Sequence, residues 1–425
     1  SGNYFFADVA IKAMGFVSIP IFTRFLTEEE YGIMSVFYAN VPIFIVLLSL
    51  GTYSSVSRYC YENKDDFKEF LGTNLVLLGI IISITTSFFL IIRGKIYDLL
   101  NLPYPLPLLI VFVSILSIIY SIYLQTLYPQ RQSKKVAIMG IAHGYSGFII
   151  SIIITYVLIS NRYMGKIWSS VIIGFIFSIY CLSKIKGSLE FSIKKEHIQY
   201  IISYSFPLIP YSLSSLILAQ FDRIMVNNIS GSASAGLYSL GYTIGLLLSL
   251  VITATLNAMT PKIMGFFNKG EFTRMDSLFK RIFSIETIAA LILIFFGKDL
   301  IILLADEKFH IAGGIVPIVV IGYIFYGLSI IYAQYIVFTK KMIFLSISVL
   351  LAGAINIILN MIYIPQYGYL AAAYTTAISY FFMFLFNWVT AKYVLKQRTT
   401  SLILFWKSLS LMFIFVGIVF TVRYL

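Results

Sequence analysis

The chain has 425 residues, of which 59% are hydrophobic and only 12% are charged. With 31 Lys and Arg against 18 Asp and Glu, its formal net charge is +13 at pH 7. We do not interpret this excess as nucleic-acid binding, because the basic residues lie in short connections between apolar segments, where they set the orientation of membrane proteins. Cys60 and Cys181 lie in different segments and indicate neither a metal site nor a disulfide framework.

Apolar segments of roughly 20 residues follow one another along the chain, and a helix of that length crosses a hydrocarbon core of ~30 Å. Such a helix satisfies its own backbone hydrogen bonds where no water is available. The segments are continuously apolar rather than alternating, which excludes a transmembrane β-barrel. The sequence therefore predicts an all-α polytopic membrane protein. The predicted spans are 4–26, 32–57, 71–92, 104–128, 136–160, 166–185, 199–226, 235–260, 279–303, 312–338, 342–364, 369–394 and 401–422.

Most basic residues between these spans fall in the even-numbered connections, for example Arg58 and Lys64 after span 2. The positive-inside rule then places the even-numbered connections and the N-terminus in the cytoplasm. An odd number of spans puts Leu425 on the outer side, and a fourteenth, returning span after it is an open alternative. All connections are short and the sequence contains no Walker A motif, so a transporter of this kind would carry no ATPase of its own.

The sequence also matches itself at one constant offset. Tyr31–Ser35 falls on Ala235–Ser239, and the same ungapped register places Arg58 on Lys262. An even number of spans separates the two copies, so both halves share one orientation, with a transported substrate expected between them. We therefore predict two six-helix bundles related by a pseudo-two-fold axis along the membrane normal, plus at least one extra C-terminal helix. The predicted domains are 1–190, 191–397 and 398–425.

Asp8 and Lys12 lie four residues apart in span 1, on one face of the predicted helix. Ionisable residues at this depth are unfavourable unless they are paired or face an aqueous cavity. Two interpretations stay open. In the first, the side chains neutralise each other near the cytoplasmic end of the helix. In the second, both face a central cavity and Asp8 is the site of a coupling H⁺ or Na⁺.

Arg58 and Lys262 end equivalent spans in the two halves. They are either ordinary positive-inside residues or two cations that converge on an anionic headgroup, for which the planar fork of Arg is well suited. Asp222 ends span 7, where we favour a structural salt bridge to another helix. Asn356 and Asn360 share one face of span 11, and this spacing predicts hydrogen bonds between helices.

Prolines interrupt the hydrogen bonding of two predicted helices, at Pro20 in span 1 and at Pro207 and Pro210 in span 7. We predict that all three act as hinges and that span 7 bends beside the cavity. His143 and Glu286, in spans 5 and 9, are interpreted as core residues with satisfied hydrogen bonds.

Two segments resemble a known family. Ile19–Ser35 (IPIFTRFLTEEEYGIMS) resembles the opening of the Wzx-type polysaccharide flippases of the multidrug/oligosaccharidyl-lipid/polysaccharide (MOP) exporter superfamily. The segment 221–242 (FDRIMVNNISGSASAGLYSLGY) resembles the seventh helix of that family and the turn after it. The resemblance implies two helical bundles around a cationic lumen. It also implies that undecaprenyl-pyrophosphate-linked units of O-antigen, capsule or a similar glycan move to the outer leaflet by alternating access.

The same resemblance implies a site and a setting. The basic residues that match the lumen are Arg58 and Lys262, followed by Lys12 and Arg223. The expected location is the bacterial cytoplasmic (inner) membrane, and the expected partners are the lipid-linked glycan, membrane lipids, a glycan polymerase and glycosyltransferases, without nucleic acid. No catalytic residue, metal or cofactor is expected, with H⁺ or Na⁺ as the candidate coupling ion.

Two other functions compete with this one. An ion-coupled antiporter of drugs or small molecules would share the fold, but it should show a compact group of acidic residues and an apolar lumen. A membrane-embedded glycan polymerase or ligase would need catalytic residues on a sizeable outer loop, whereas the predicted outer connections are short.

Overall fold

The computed structural model describes the backbone of residues 2–187, 190 and 193–423, and the side chains within these ranges except those of 2–9, 12, 13, 413, 419, 420, 422 and 423. These residues are helical nearly throughout and include no β-strand. Eleven of their helical stretches are long and apolar enough to cross a membrane. The first and last predicted spans also fall on helices, whose apolar parts within the searched residues are shorter, Met14–Phe25 and Ile403–Ile418. The predicted all-α polytopic fold is confirmed.

The chain divides into two compact units, Ser1–Leu216 and Ile217–Leu425. The helices up to this division are α1 (Gly2–Phe25), α2 (Glu28–Ser49), α3 (Ser54–Glu62), α4 (Phe67–Ile91), α5 (Arg93–Leu100), α6 (Leu106–Leu127), α7 (Ser133–Val157), α8 (Met164–Lys186) and α9 (Lys195–Ser205). The division itself falls inside α10 (Ile209–Ser230). The predicted domain boundaries after residues 190 and 397 stay predictions.

The helices of the second unit are α11 (Ser232–Gly245), α12 (Leu247–Lys269), α13 (Phe272–Leu304), α14 (Val316–Phe338), α15 (Ile343–Tyr367), α16 (Tyr369–Val389) and α17 (Ile403–Arg423). A 3₁₀ segment, Glu307–Ile315, leads into α14, and a π-helical turn, Thr390–Val394, follows α16. α14 is the central helix of this unit and packs against both α13 and α16. In the first unit, α6 packs against α2 and α8, and α7 packs against α1 and α8.

The second predicted span is two helices rather than one. α2 begins at a capping box, in which the Thr27 side chain accepts from the Glu30 backbone and Glu30 accepts from that of Thr27. It ends before Leu50 and Gly51, whose φ angles of 48° and 69° lie in the left-handed region. Arg58 therefore lies on the separate helix α3.

The predicted hinge prolines occupy three different settings. Pro207 lies in a short 3₁₀ turn, Phe206–Leu208, that separates α9 from α10, so predicted span 7 is interrupted there. Pro210 is in the first turn of α10, where its missing N–H removes no hydrogen bond of the helix. Pro20 lies within α1, which continues past it to Phe25. The hinge role of each proline stays a prediction.

Candidate functional site

Arg58 projects from α3 as a half-exposed cation with a defined counter-ion. Its Nε donates to Oε1 of Glu62 over 2.7 Å, one turn further along the helix. Its guanidinium carbon lies 4.9 Å from the centre of the Tyr204 ring, a cation–π contact. Because 55% of the Arg58 side chain is exposed, an anion from solution can reach the guanidinium without unpacking the unit.

Glu62 is held from its other side as well. The Tyr200 hydroxyl of α9 donates to Glu62 Oε2 over 2.5 Å. The hydrogen bonds from Tyr200 and Arg58 hold the pKa of Glu62 below its ordinary value, so the carboxylate is ionised at neutral pH. The hydrogen bond that Arg58 donates to this carboxylate is the main cause of a raised pKa of Arg58, and the negative charge of Glu62 adds to the effect. Glu62 would keep its partner on α9 if Arg58 turned to another anion.

A second set of contacts fixes α9 against α3 and α4. The buried His197 places Nε2 2.9 Å from Oδ2 of Asp66, and the Tyr59 hydroxyl donates to the same oxygen over 2.7 Å. Burial on its own would raise the pKa of Asp66, but the hydrogen bonds from His197 and Tyr59 outweigh it, and the pKa lies below its ordinary value. The Tyr59 ring also stacks on Phe70, with centroids 3.6 Å apart.

Lys262 is exposed on α12, in the second unit. The helix continues past the predicted end of span 8 at residue 260 and stops at Lys269, before Gly270 with its φ of 67°. Among the residues that the structure describes, none forms an ion pair or hydrogen bond with the Lys262 side chain. It is a free cation, in contrast to the paired Arg58.

Arg223 makes its contacts close to its own position on α10. Its Nη1 donates to the carbonyl oxygen of Ala219 over 3.0 Å and to Oε1 of Gln220 over 2.8 Å. Its guanidinium carbon lies 4.8 Å from the centre of the Tyr242 ring. The side chain is half-buried, and these contacts leave it less available to a ligand than Arg58.

Asp222 is buried in the second unit and differs from the predicted salt bridge. Its carboxylate accepts from the Tyr238 hydroxyl over 2.8 Å, from Thr376 Oγ1 over 2.5 Å and from Asn360 Nδ2 over 2.6 Å. Within the described part of the chain, no cation lies within 4.0 Å of it. Neutral donors from α11, α15 and α16 take the place of the expected cation, and Asn356, bonded to Asn360, completes the network.

A cavity that sequence reasoning missed lies inside the first unit. Its volume is about 220 Å³, and its lining includes Lys166, His143, Ser18 and Ser170. Lys166 Nζ lies 5.1 Å from the ring centres of Phe22 and of Tyr38. An ammonium group beside serine hydroxyls can hold an anion or sugar hydroxyls. A lysine at the start of a predicted span carries no sign of this in the sequence, because the lining comes from four helices.

Asp8 and Lys12 lie on α1, and their side chains fall outside the described residues. The two interpretations of this pair therefore stay open. Arg58, Lys262 and Arg223 are each placed by the structure, and their substrate-binding role stays a prediction.

The helices define a fold that is shared with known transporters. A MATE family multidrug resistance transporter of the MOP superfamily, in an inward-facing conformation, superposes with a TM-score of 0.69 and 11% identity, over 92% of this chain and 96% of that one. Lipid II flippase MurJ, in an inward closed conformation, superposes with a TM-score of 0.67 and 17% identity, over 99% of this chain and 98% of that one. At these identities the similarity establishes the MOP fold.

The sequence comparisons identify the family. Residues 2–267 match the family model described as polysaccharide biosynthesis protein, and the chain belongs to that family. A protein of the Lsg locus of Haemophilus influenzae is 24% identical over 269 residues, which are 61% of this chain and 63% of that protein. The chain thus matches somewhat less than two thirds of this relative's length. The predicted resemblance is confirmed at two levels: the chain belongs to a polysaccharide biosynthesis family, and it has the MOP fold.

Proposed function

We propose that this protein is a flippase that carries polyprenyl-pyrophosphate-linked oligosaccharides from the cytoplasmic to the outer leaflet by alternating access. Membership of the polysaccharide biosynthesis family and a fold shared with a lipid II flippase support the proposal. The observation that carries it is Arg58, an exposed guanidinium with a displaceable counter-ion. No bond is made or broken in such a transfer, so the function needs no catalytic residue.

The physical problem of this transfer is the headgroup. A pyrophosphate with attached sugars cannot enter hydrocarbon without losing the hydration of its charges and hydroxyls. A cation at the entrance compensates the charge, and the Arg fork can hold two phosphate oxygens at once. The polyprenyl tail can stay in the lipid throughout.

The contact with Glu62 orients the Arg58 guanidinium before the substrate binds. In this conformation Glu62 orients the guanidinium and Tyr204 packs beneath it. A pyrophosphate carries more negative charge than a single carboxylate and can displace Glu62, which keeps its hydrogen bond from Tyr200. Exchange of one anion for another avoids leaving either charge without a partner.

Lys262 is the proposed second cation, by the repeat that pairs it with Arg58. Its exposed ammonium is unoccupied by any described partner and can act as a point charge for the same headgroup. Lys12 and Arg223 are secondary candidates. The Lys12 side chain lies outside the described residues, and Nη1 of Arg223 is occupied by contacts within α10. We further propose the bacterial inner membrane with a cytoplasmic N-terminus, and a polymerase and glycosyltransferases as partners in glycan synthesis.

Binding measurements on folded variants test the site. Each charge-assisted phosphate contact that is lost should weaken binding about 10- to 100-fold. We expect Arg58→Ala and Lys262→Ala each to show this loss for a polyprenyl-pyrophosphate-linked oligosaccharide, and the double variant to lose most binding. Arg58→Lys should also weaken binding, because it loses the bidentate fork.

The matched control is Arg274→Ala. Arg274 is an exposed arginine that donates to Glu271 over 2.8 Å on the same helix turn, as Arg58 does to Glu62, and it has no proposed ligand. Its removal should leave affinity unchanged. Unchanged affinity in the Arg58 and Lys262 variants, or an equal loss in the control, would contradict the proposed site.

A further inference from the structure

Glu286 is a fully buried acid in the middle of α13. Its relative exposure is 0%, and neither of its carboxyl oxygens has a hydrogen-bond partner in the described part of the chain. Buried polar groups in proteins are almost always hydrogen-bonded, so this arrangement needs an explanation. It contradicts the sequence-based interpretation of Glu286 as a core residue with satisfied hydrogen bonds.

The space around the carboxyl group is formed by three helices. Gly327 of α14 faces it so closely that a Cβ atom at this glycine would lie 2.5 Å from Glu286 Oε2. Ile252 of α12 lies next to the same point, 3.4 Å from where that Cβ would be. The carboxyl group therefore occupies a space that any side chain at position 327 would fill. Neither Gly327 nor Ile252 offers it a side-chain hydrogen-bond donor.

The ionisable groups on the elements packed against α13 are engaged or exposed elsewhere. On α14, Tyr332 and Tyr335 bond to Thr400, and Tyr323 bonds to Tyr242 of α11. On α11, Tyr238 donates to Asp222.

In the 3₁₀ segment before α14, Lys308 pairs with Asp306, and a ring nitrogen of His310 lies within hydrogen-bond distance of the Ala305 carbonyl oxygen. Tyr326 of α14 is half-buried. Lys262 and Lys269 of α12, Glu307 of the 3₁₀ segment and Lys407 of α17 are exposed.

These surroundings decide the charge of Glu286. An ionised carboxylate without water, a cation or a hydrogen-bond donor is strongly unfavourable in an apolar interior. The group is therefore neutral in this conformation, which means that its carboxyl carries a proton. Ionisable residues inside membrane-spanning helices mark functional positions, proton relays among them.

A purely structural role would favour a different side chain. The neutral carboxyl still leaves its O–H and C=O unsatisfied, whereas Leu or Met would fill the same space without that cost. What Glu offers and these residues do not is reversible binding of a proton. The proton can leave when a second conformation brings water or a cation to the carboxyl, and each protonation state then stabilises a different conformation.

We propose that Glu286 is a proton-binding site, occupied in the conformation described and vacated to water in the alternate one. When the carboxyl takes up its proton from one side of the membrane and releases it to the other, each transport cycle is coupled to the movement of one proton. The proton site itself needs only the buried carboxyl, while its coupling to transport rests on the proposed flippase function.

The test has one part that needs no substrate. Dicyclohexylcarbodiimide is an apolar reagent that modifies protonated carboxyls, and mass spectrometry of the full-length protein in lipid should locate the adduct at Glu286. Labelling should fall at least 10-fold as the pH is raised far enough to populate the deprotonated state. Absence of an adduct at Glu286 across this pH range would overturn the proposal.

The second part measures coupling in proteoliposomes with a polyprenyl-pyrophosphate-linked oligosaccharide. Coupling to one proton supports about a tenfold change in substrate distribution per pH unit of gradient. Glu286→Gln, which imitates the protonated form, should abolish this response and retain substrate binding, whereas Glu286→Asp should keep the response. Glu271→Gln, at the half-buried N-cap position of the same helix, is the matched control and should behave like the unmodified protein.

The outcomes separate the two proposals. A full gradient response in folded Glu286→Gln would overturn the coupling role. If Glu286→Gln does not fold, a lost response in Glu286→Asp combined with missing carbodiimide labelling decides against the site. Labelling that depends on pH in a protein that moves no glycan would reject the proposed function and leave the proton site standing.

Discussion

Asp66 shows how a single carboxylate fastens one helix to a unit. It is the common acceptor for His197 of α9 and Tyr59 of α3, and these hydrogen bonds to its charged form keep its pKa below the ordinary value. A carboxyl whose pKa is lower in the folded state contributes stability above its unfolded pKa, and this contribution is lost as the pH falls through the folded pKa. Attachment of α9 should therefore be strongest near neutral pH and weaken in acid.

We predict that Asp66→Asn destabilises the first unit by about 1 kcal/mol at pH 7, a value reduced because the Asp66 side chain is 37% exposed. The variant should also lose part of the acid dependence. The measurement is thermal unfolding in detergent between pH 7 and pH 3, with Asp65→Asn, a change at the neighbouring exposed acid, as the control. Parallel pH profiles for Asp66→Asn and the unmodified protein would contradict this role of Asp66.

At the scale of the helices, glycines set how closely α11 approaches its neighbours. A Cβ at Gly241 would lie 2.5 Å from the Ala312 carbonyl oxygen, and one at Gly245 would collide with Val319 of α14. Close approach of helices through small residues is typical of membrane proteins. This packing holds α11 against the central helix of the second unit.

The element-scale prediction concerns Gly245. Gly245→Ala should destabilise the second unit by about 1–3 kcal/mol through overpacking, and Val319→Ala should recover part of this loss in the double variant. Gly265→Ala on α12 is the control, because its added Cβ would have no neighbour within 4 Å among the described atoms. Thermal unfolding of the unmodified protein, Gly245→Ala, Val319→Ala and the double variant gives the coupling free energy between these two positions. Equal effects at Gly245 and Gly265 would refute the packing argument.

Elements of this fold were predictable to the extent that their signals are local. Length and hydropathy place every predicted span on predominantly helical chain, although some spans contain a break, and Pro207 marks the one between α9 and α10. The break between α2 and α3 was missed, because Leu50 adopts a left-handed conformation that its sequence does not favour. Arg58 was therefore predicted at the end of a long span and is found on a short helix of its own.

For the whole molecule, the contacts between distant segments were beyond sequence reasoning. The shared face of Asn356 and Asn360 predicted hydrogen bonds between helices, and the structure confirms them: Asn356 donates to Thr376 of α16, and Asn360 donates to Asp222 of α10. That they meet Asp222 depends on how three helices pack, which no spacing reveals. For the same reason the sequence could not show that Glu286 lacks a partner, since this follows from the surface that α14 presents to α13.

The central claim is that this protein moves a pyrophosphate-linked glycan across a bilayer, and a transfer assay tests it most directly. Proteoliposomes would carry a fluorescent polyprenyl-pyrophosphate-linked oligosaccharide in both leaflets, and a membrane-impermeant quencher would report the fraction exposed outside. We predict that the unmodified protein exposes the inner-leaflet fraction, that the Arg58→Ala, Lys262→Ala double variant slows this about 100-fold or more, and that Arg274→Ala does not. An inner-leaflet fraction that stays protected in the presence of folded, unmodified protein would contradict the account.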